Sequence, residues 1–173
     1  NLQAYQRVLP RETPDRQILL VPRNDIQRLE STIKKPGTWV VNIRSAANVL
    51  LGEEVVYAFP EVRPNTTVVQ RSAVLARTAL ERDETNSEAV RNRLNLLLAS
   101  ALAEAQRQGS LVQGLQFDAN ALNQLGSTLL RRSPSRIELK VIANQRSDPA
   151  DPVIVRIEPV GTIPQARINE LRN

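Results

Sequence analysis

Sliding this 173-residue sequence along itself by 96 positions lays Gln17 on Gln113, Asn24 on Asn120, Leu29 on Leu125, Ser31-Thr32 on Ser127-Thr128 and Ala47-Asn48 on Ala143-Asn144. Between these seven identities fall like-for-like pairs: Val21/Phe117, Ile26/Leu122, Ile33/Leu129, Lys35/Arg131, Val41/Ile137, Ile43/Leu139 and Arg44/Lys140. After a slip of two residues the register resumes at 98, setting Val55-Val56 on Val153-Ile154, Phe59 on Ile157 and Val62 on Val160. An internal match with one apolar period and the same Ala-Asn before a loop constrains the fold more than any other feature. Whatever supersecondary path the first stretch takes, the second is expected to take again.

The path follows from local pattern. Residues 17–22 hold a short continuous apolar run, Ile18-Leu19-Leu20-Val21, suited to a buried strand. Asn24 is placed to cap a helix with Gln27 reaching back to it, Ile26, Leu29 and Ile33 give that helix its apolar stripe, and Lys34-Lys35 before Pro36-Gly37 close it. Residues 39–43 and 54–59 make two strands around a 48–52 loop. The second copy reads as a strand at 114–117, a helix from Asp118 or Asn120 to Arg132, and strands at 136–143 and 153–160. Its 145–152 loop is longer and stiffened by Pro149 and Pro152. Between the copies, 66–70 and 73–80 read as a strand pair joined at Arg71-Ser72. Thr85-Asn86-Ser87-Glu88 is a capping box opening the best helix of the chain, 86–108, with Gly109 as its stop. Val90, Leu94, Leu97, Leu98, Ala101, Leu102 and Ala105 line its broad apolar face, expected to pack on one sheet carrying Leu20, Val41, Ile43, Leu139 and Val155.

The expected fold class is therefore α+β: internally duplicated β-α-β-β units with pseudo-symmetry, joined by a strand pair and a long central helix. Residues 1–16 read as a linker or the end of an upstream coiled coil. A single globular domain spans 17–160 (repeat A 17–62, connector 63–112, repeat B 113–160), and 161–173 is a polar tail with a possible short helix at 165–171. The sequence holds no Met, so the expected origin is a piece of a longer protein. No apolar run approaches the roughly 20 residues that a membrane span needs, which predicts a soluble domain.

Composition narrows the chemistry. The chain has no His and no Cys, which removes imidazole bases, imidazole and thiolate metal ligands, and the Cys nucleophile. Its net charge of +5 is carried almost wholly by Arg, with three Lys. The arginines are scattered along the chain, and the aromatics Tyr5, Trp39, Tyr57, Phe59 and Phe117 are too sparse for a base-stacking platform. Ser31-Thr32-Ile33-Lys34 matches the Ser-x-x-Lys pattern of some nucleophilic serines, but no partner motif accompanies it and Leu130 stands where a second Lys34 would be. Its hydroxyls are expected to face their own helix turn or solvent. The acids Glu53-Glu54, Asp83-Glu84 with Glu88, and Asp148 with Asp151 suit turns and a helix N-terminus as well as they suit a cation. The six glycines are isolated, so there is no phosphate-cradling loop. Asn48 and Asn144, the repeat's matched polar pair, are expected to leave their strands in turn conformations, and Trp39 to sit in the core or at the sheet rim. No cofactor and no metal are implied.

Across Ala89-Val90-Arg91-Asn92-Arg93-Leu94-Asn95-Leu96-Leu97-Leu98-Ala99, Ala103-Glu104-Ala105-Gln106-Arg107-Gln108-Gly109 and Gly114-Leu115-Gln116-Phe117-Asp118, the chain resembles the C-terminal region of the DUF3084 family. The 48–59 and 71–75 segments resemble it too. These are bacterial, mainly cyanobacterial, membrane-anchored, myosin-heavy-chain-like coiled-coil proteins. The resemblance implies a place at the end of a membrane-tethered coiled coil and brings no catalytic residues with it.

The expected function is non-catalytic: an interaction or assembly module that binds a protein partner or self-associates, without inserting into the membrane itself. Its contact surface is expected at the two hairpin loops, through Asn48, Glu53, Glu54, Arg146, Asp148 and Asp151. The alternative is an Arg-rich binder of nucleic acid or another anionic polymer.

Overall fold

The computed structural model describes residues 18–48 and 55–164, together with the backbone of Tyr5–Arg7. The chain divides into two compact units, Asn1–Thr66 and Thr67–Asn173, and the 17–160 stretch runs through both. With three helices and seven strands in two sheets among the described residues, the fold mixes helix and strand as an α+β protein does.

The first unit comprises β1 (Tyr5–Arg7), β2 (Ile18–Pro22), α1 (Arg23–Ile33), β3 (Trp39–Ser45) and β4 (Val55–Pro64), with strands in the order β1-β2-β4-β3. β2 runs parallel to β4, setting Leu19 beside Val56, and β3 runs antiparallel to β4, setting Val41 beside Val62. The expected Asn24 cap does not form. α1 begins at Arg23 directly off the strand, with Pro22 at the N-cap position and no side-chain cap; Pro22 cannot donate a ladder bond, and the chain turns into helix there. The helix stops as expected, with Gly37 at φ +128°, a conformation glycine adopts without a Cβ clash. Trp39 sits at the sheet rim and donates its indole N–H to Lys35 O at 3.2 Å.

This unit is thinly packed. Leu20, Val21 and Ala58 are its buried apolar residues among those described, and α1 buries none of its own. Val41 and Ile43 pair with Val62 and Pro60, the β4 residues facing Leu29 and Thr32 of α1, yet they lie at the edge beyond the helix and stay 42% and 47% exposed. On the opposite face Val55, Tyr57 and Phe59 are exposed as well.

The second unit holds β5 (Val74–Leu80), α2 (Ser87–Arg107), α3 (Ala119–Leu130), β6 (Ile137–Ala143) and β7 (Val155–Pro159). β6 is central, antiparallel to β5 and β7. Its alternating Ile137, Leu139, Val141 and Ala143 turn one face to the helices, and the face carrying Glu138 and Lys140 is charged. α2 is capped by Asn86, whose Oδ1 accepts the Ala89 N–H at 2.8 Å, one residue later than the Thr85 box predicts. Val90, Leu94, Leu97, Ala101 and Ala105 are buried along it at helical spacing, against Leu80, Leu139, Val141 and Val155. Leu98 and Leu102, at the flank of that stripe, are half-buried. At its end Gly109 takes φ +111°, the Gly109 N–H reaches Gln106 O and the Ser110 N–H reaches Ala105 O, both at 3.0 Å. That is a Schellman cap, which satisfies two otherwise orphaned carbonyls.

Three expectations are corrected here. Residues 66–70 do not form a strand with 73–80: β5 pairs with β6 instead, and 66–70 contributes one bridge, Val69 to Ser147. β6 offers β5 a long alternating partner, which five polar or β-branched residues before a turn do not. The 114–117 strand shrinks to a parallel bridge between Gln116 and Ile154, because Asp118 caps α3 immediately afterwards, accepting the N–H groups of Asn120 and Ala121 at 2.8 and 3.1 Å. Finally, Leu20, Val41 and Ile43 belong to one sheet and Leu139 and Val155 to another, so α2 packs on a three-stranded sheet rather than a common one. Residues 17–62 run β2, α1, β3, β4 with β2 parallel to β4, and residues 113–160 run a single parallel bridge from Gln116 to Ile154, then α3, β6 and β7, although Ile43 faces Pro60 where Leu139 faces Pro159. That pairing differs by one residue from the 96 and 98 registers.

Arg132, just past α3, is buried at 4% exposure. Its guanidinium donates to Leu129 O, Glu81 O and Glu84 O, each at 2.8 Å, and to Ser135 O at 3.4 Å. Burial pushes its pKa down and the Glu84 charge pushes it back up. Glu84 accepts Arg93 Nε and Nη2 at 3.1 and 2.5 Å and the Glu81 N–H at 2.7 Å. Partial burial alone would raise the Glu84 pKa, but the Arg93 hydrogen bonds, the Glu81 N–H and the two arginine charges outweigh it and hold the carboxyl below 4.5.

Two outcomes are expected. Leu97→Ala, which empties a site 1% exposed, should cost about 2–5 kcal/mol in urea unfolding, whereas Leu96→Ala, at a position 63% exposed, should stay within about 0.5 kcal/mol; equal losses would show that the helix faces were assigned wrongly. A carboxyl with a depressed folded pKa adds stability above its unfolded value and loses it as pH falls through the folded one. Urea midpoints of the wild type should therefore drop more steeply than those of Glu84→Gln as pH is lowered from 4.5, and parallel profiles would contradict the assignment.

Candidate partner-binding site around Asn144

Of the two predicted contact loops, Glu53 and Glu54 lie outside the described residues, and Asn48 is exposed three residues past the end of β3. Asn144 follows β6 directly, so the two asparagines do not occupy matching strand ends. The 145–152 loop is no loose hairpin. Ser147 exchanges backbone bonds with Val69 at 2.9 and 3.1 Å and accepts the Val68 N–H at 3.0 Å. Its buried hydroxyl donates to Pro152 O at 3.0 Å. Pro149 is fully buried, and its carbonyl accepts the Leu111 N–H at 2.7 Å. Asp148 accepts the Thr67 hydroxyl at 3.0 Å and Asp151 accepts the Asp148 N–H at 3.1 Å, so both carboxylates hold the loop in shape. No group of three or more acids is arranged to hold a metal ion among the described residues.

A second turn is fastened beside this loop. Ala73 N–H closes it on Gln70 O at 3.1 Å, with Ser72 at φ +65°. The Ser72 N–H then reaches Ala143 O at 2.8 Å while the Ala143 N–H reaches Ala73 O at 2.9 Å. The two turns enclose an open concavity lined by Gln70, Arg71, Asn144, Gln145 and Arg146. Arg71 and Arg146 are exposed, and neither is in an ion pair among the described residues. The concavity presents two guanidinium groups and three amides, with no carboxylate in its lining.

Asn144 is held from the other side. Its N–H donates to Ile154 O at 2.8 Å, and its Oδ1 accepts Arg156 Nη1 at 2.7 Å. Arg156 is itself anchored on Glu158, Nε to Oε1 at 2.6 Å, and that hydrogen bond holds the Glu158 carboxyl below its ordinary range. With its oxygen taken, Asn144 has its NH₂ group to offer. It also lines a second depression, a largely apolar groove between α3 and β7 walled by Phe117, Leu122, Leu125, Val155 and Ile157, with the helix-capping Asp118 and the Glu158-paired Arg156 at its polar margin. Phe117 stands 41% exposed at its rim. An apolar groove and a donor-lined concavity thus meet at one side chain.

The other candidates line neither depression. Ser31 and Thr32 both donate to Arg28 O, at 2.8 and 2.9 Å, within their own helix turn as expected. Glu84 is committed to Arg93, and Asp83 and Glu88 are exposed near the start of α2. Many arginines are paired where they stand: Arg28 with Asp25, Arg44 and Arg63 with Glu61, Arg107 with Glu104, Arg136 with Glu81 and Glu138. Of the residues lining the concavity, the sequence singles out Arg146 as a contact residue and Asn144 as a turn residue, and does not single out Arg71 or Gln70. The Arg71-Ser72 turn is legible; that it docks against the 144–146 turn follows from β5 pairing with β6, which is not.

Residues 69–161 match the model of a family described as the DUF3084-associated C-terminal helical hairpin. The match takes in α2 and α3, β5 to β7 and the whole Asn144 site. An uncharacterized protein of Nostoc sp. is 34% identical over 149 residues, covering 86% of this chain and 28% of that protein. The chain thus spans a little over a quarter of its relative's length. No solved structure matches, and among the described residues no helix is long and apolar enough to cross a membrane. With the resemblance at 89–109 and 114–118 falling inside the matched stretch, this chain belongs to the DUF3084-associated C-terminal helical hairpin family.

Proposed function

We propose that the chain is a non-catalytic interaction module which binds a protein partner through the surface around Asn144, at the end of a membrane-tethered coiled coil. The observation that carries this reading is the junction of an apolar groove with an unpaired donor cluster on turns fixed by backbone hydrogen bonds. A surface that is part apolar and part polar suits protein recognition, in which an apolar centre excludes water and polar groups set the register. The two strand-helix-strand-strand paths are, on this reading, copies of one ancestral unit, supported by their shared parallel-then-antiparallel pairing. One copy kept a tight core while the other did not.

A nucleic-acid binder would need a continuous basic stripe meeting successive phosphates. The pairing of so many surface arginines with nearby acids speaks against one. To test the proposal, a photo-crosslinking residue is placed at Phe117, and separately at Lys140 on the charged sheet face, in the full-length protein in its host. A discrete protein adduct from position 117 and none from 140 is expected. The reading fails if position 117 gives no adduct, or if the chain binds oligonucleotides with a steep loss of affinity between 50 and 200 mM salt, about 1000-fold or more.

A further inference from the structure

The chemistry of the two depressions specifies what kind of protein segment they would take, an inference that rests on the protein-partner reading above. We infer that the Asn144 site takes an acidic, apolar peptide segment: an apolar side chain enters the groove beside Phe117 and Leu122, and a neighbouring carboxylate lies on Arg71 and Arg146.

The argument starts from charge. Arg71 and Arg146 sit on turns only a few backbone hydrogen bonds apart, with Asn144 between the concavity and the groove. A carboxylate presents two oxygens with about four lone-pair sites, which matches converging guanidinium forks and amide N–H donors. The two acids nearest in sequence, Asp148 and Asp151, are engaged by Thr67 and by the loop backbone. Neither forms an ion pair with Arg71 or Arg146 among the described residues. A free phosphate or a nucleotide could satisfy the arginines, but it would leave the adjoining apolar wall wet. A peptide carrying both an apolar and an acidic side chain covers both surfaces at once, and the apolar contact lowers the dielectric around the charged one. The turns do not need to be ordered by the ligand, since the Ser72–Ala143, Ala143–Ala73 and Val69–Ser147 bonds already fix them. The entropic cost of association then falls mainly on the peptide.

The test uses the full 173-residue chain and fluorescence anisotropy with three labelled peptides of equal length. One carries Leu and Phe among Glu residues, one has Gln for every Glu, and one has Ser for Leu and Phe. The first should bind and weaken as salt rises, and both substituted peptides should bind at least about tenfold more weakly. Arg71→Gln with Arg146→Gln should lose about tenfold in affinity for the first peptide and gain insensitivity to the Glu-to-Gln change. Phe117→Ser should lose discrimination against the Ser peptide, and Arg91→Gln, on the exposed side of α2, should behave as wild type. Circular dichroism checks that each variant is folded. The inference is overturned if the double variant binds as the wild type does, or if none of the peptides binds. It is also overturned if inorganic phosphate or a short oligonucleotide displaces the probe more effectively than unlabelled peptide, which would reassign the arginines to phosphate. Failure of the peptides alongside a protein adduct from position 117 would remove this inference and leave the protein-partner reading standing.

Discussion

A single buried guanidinium ties the second unit together. Arg132 reaches the last turn of α3 through Leu129, the end of β5 through Glu81, the approach to α2 through Glu84 and the approach to β6 through Ser135. Carbonyls of four residues, two of them just beyond the Leu80–Ile137 end of the β5–β6 ladder, are held by one side chain with donors in fixed directions. Lysine could not take its place, because an ammonium carries three donors on one nitrogen, whereas here three separate nitrogens of a planar fork serve four carbonyls. Taking a charge out of water is costly, and here the cost is offset by carbonyl dipoles and by the nearby Glu84 carboxylate. The junction closes one end of the β5–β6 ladder, at Leu80 and Ile137, and the two turns beside Asn144 lie at the other end.

The same order of elements is stabilised differently in the two units. In the second, α2 supplies a stripe of five buried residues and the sheet returns an alternating face. In the first, α1 lies on the sheet without burying a residue, and apolar side chains on β3 and β4 remain open. The connection between β5 and α3 explains the difference: α2 is an additional layer that the first path has no counterpart for. Burial of apolar area is the dominant favourable term in folding, so the second unit carries most of what the described residues contribute to it.

Much of this architecture is legible in the residues. α2 declares itself through Val90, Leu94, Leu97, Ala101 and Ala105 and through its Gly109 stop, and β6 through strict alternation from Ile137 to Ala143. The local signals that misled were competitors of similar strength. Asn24 is a good cap, but Pro22 ended the strand first and left Asn24 inside the helix. Thr66 to Gln70 is as β-branched as a strand should be, yet pairing is decided by the partner available, and β6 had more apolar surface to offer. The site divides along the same line. Asn144 stands out because it matches Asn48 and Arg146 because it lies in a loop whose copy is shorter, whereas Arg71 comes to line the concavity only through long-range pairing. Arg132 is invisible beside Arg131 in the sequence: the two differ in where the end of α3 points them.

The Schellman cap of α2 has a consequence beyond ending a helix. Two residues after Gly109, the Leu111 N–H is bonded to Pro149 O, and Pro149 stands three residues from Arg146. A side chain at Gly109 would meet Val68 at 3.2 Å, and Val68 is bonded to Ser147 on that same loop. The longest helix, the 67–69 segment and the basic turn are therefore one mechanical body. A displacement along α2 would reach Arg146 through hydrogen-bonded contacts instead of being absorbed by a slack loop.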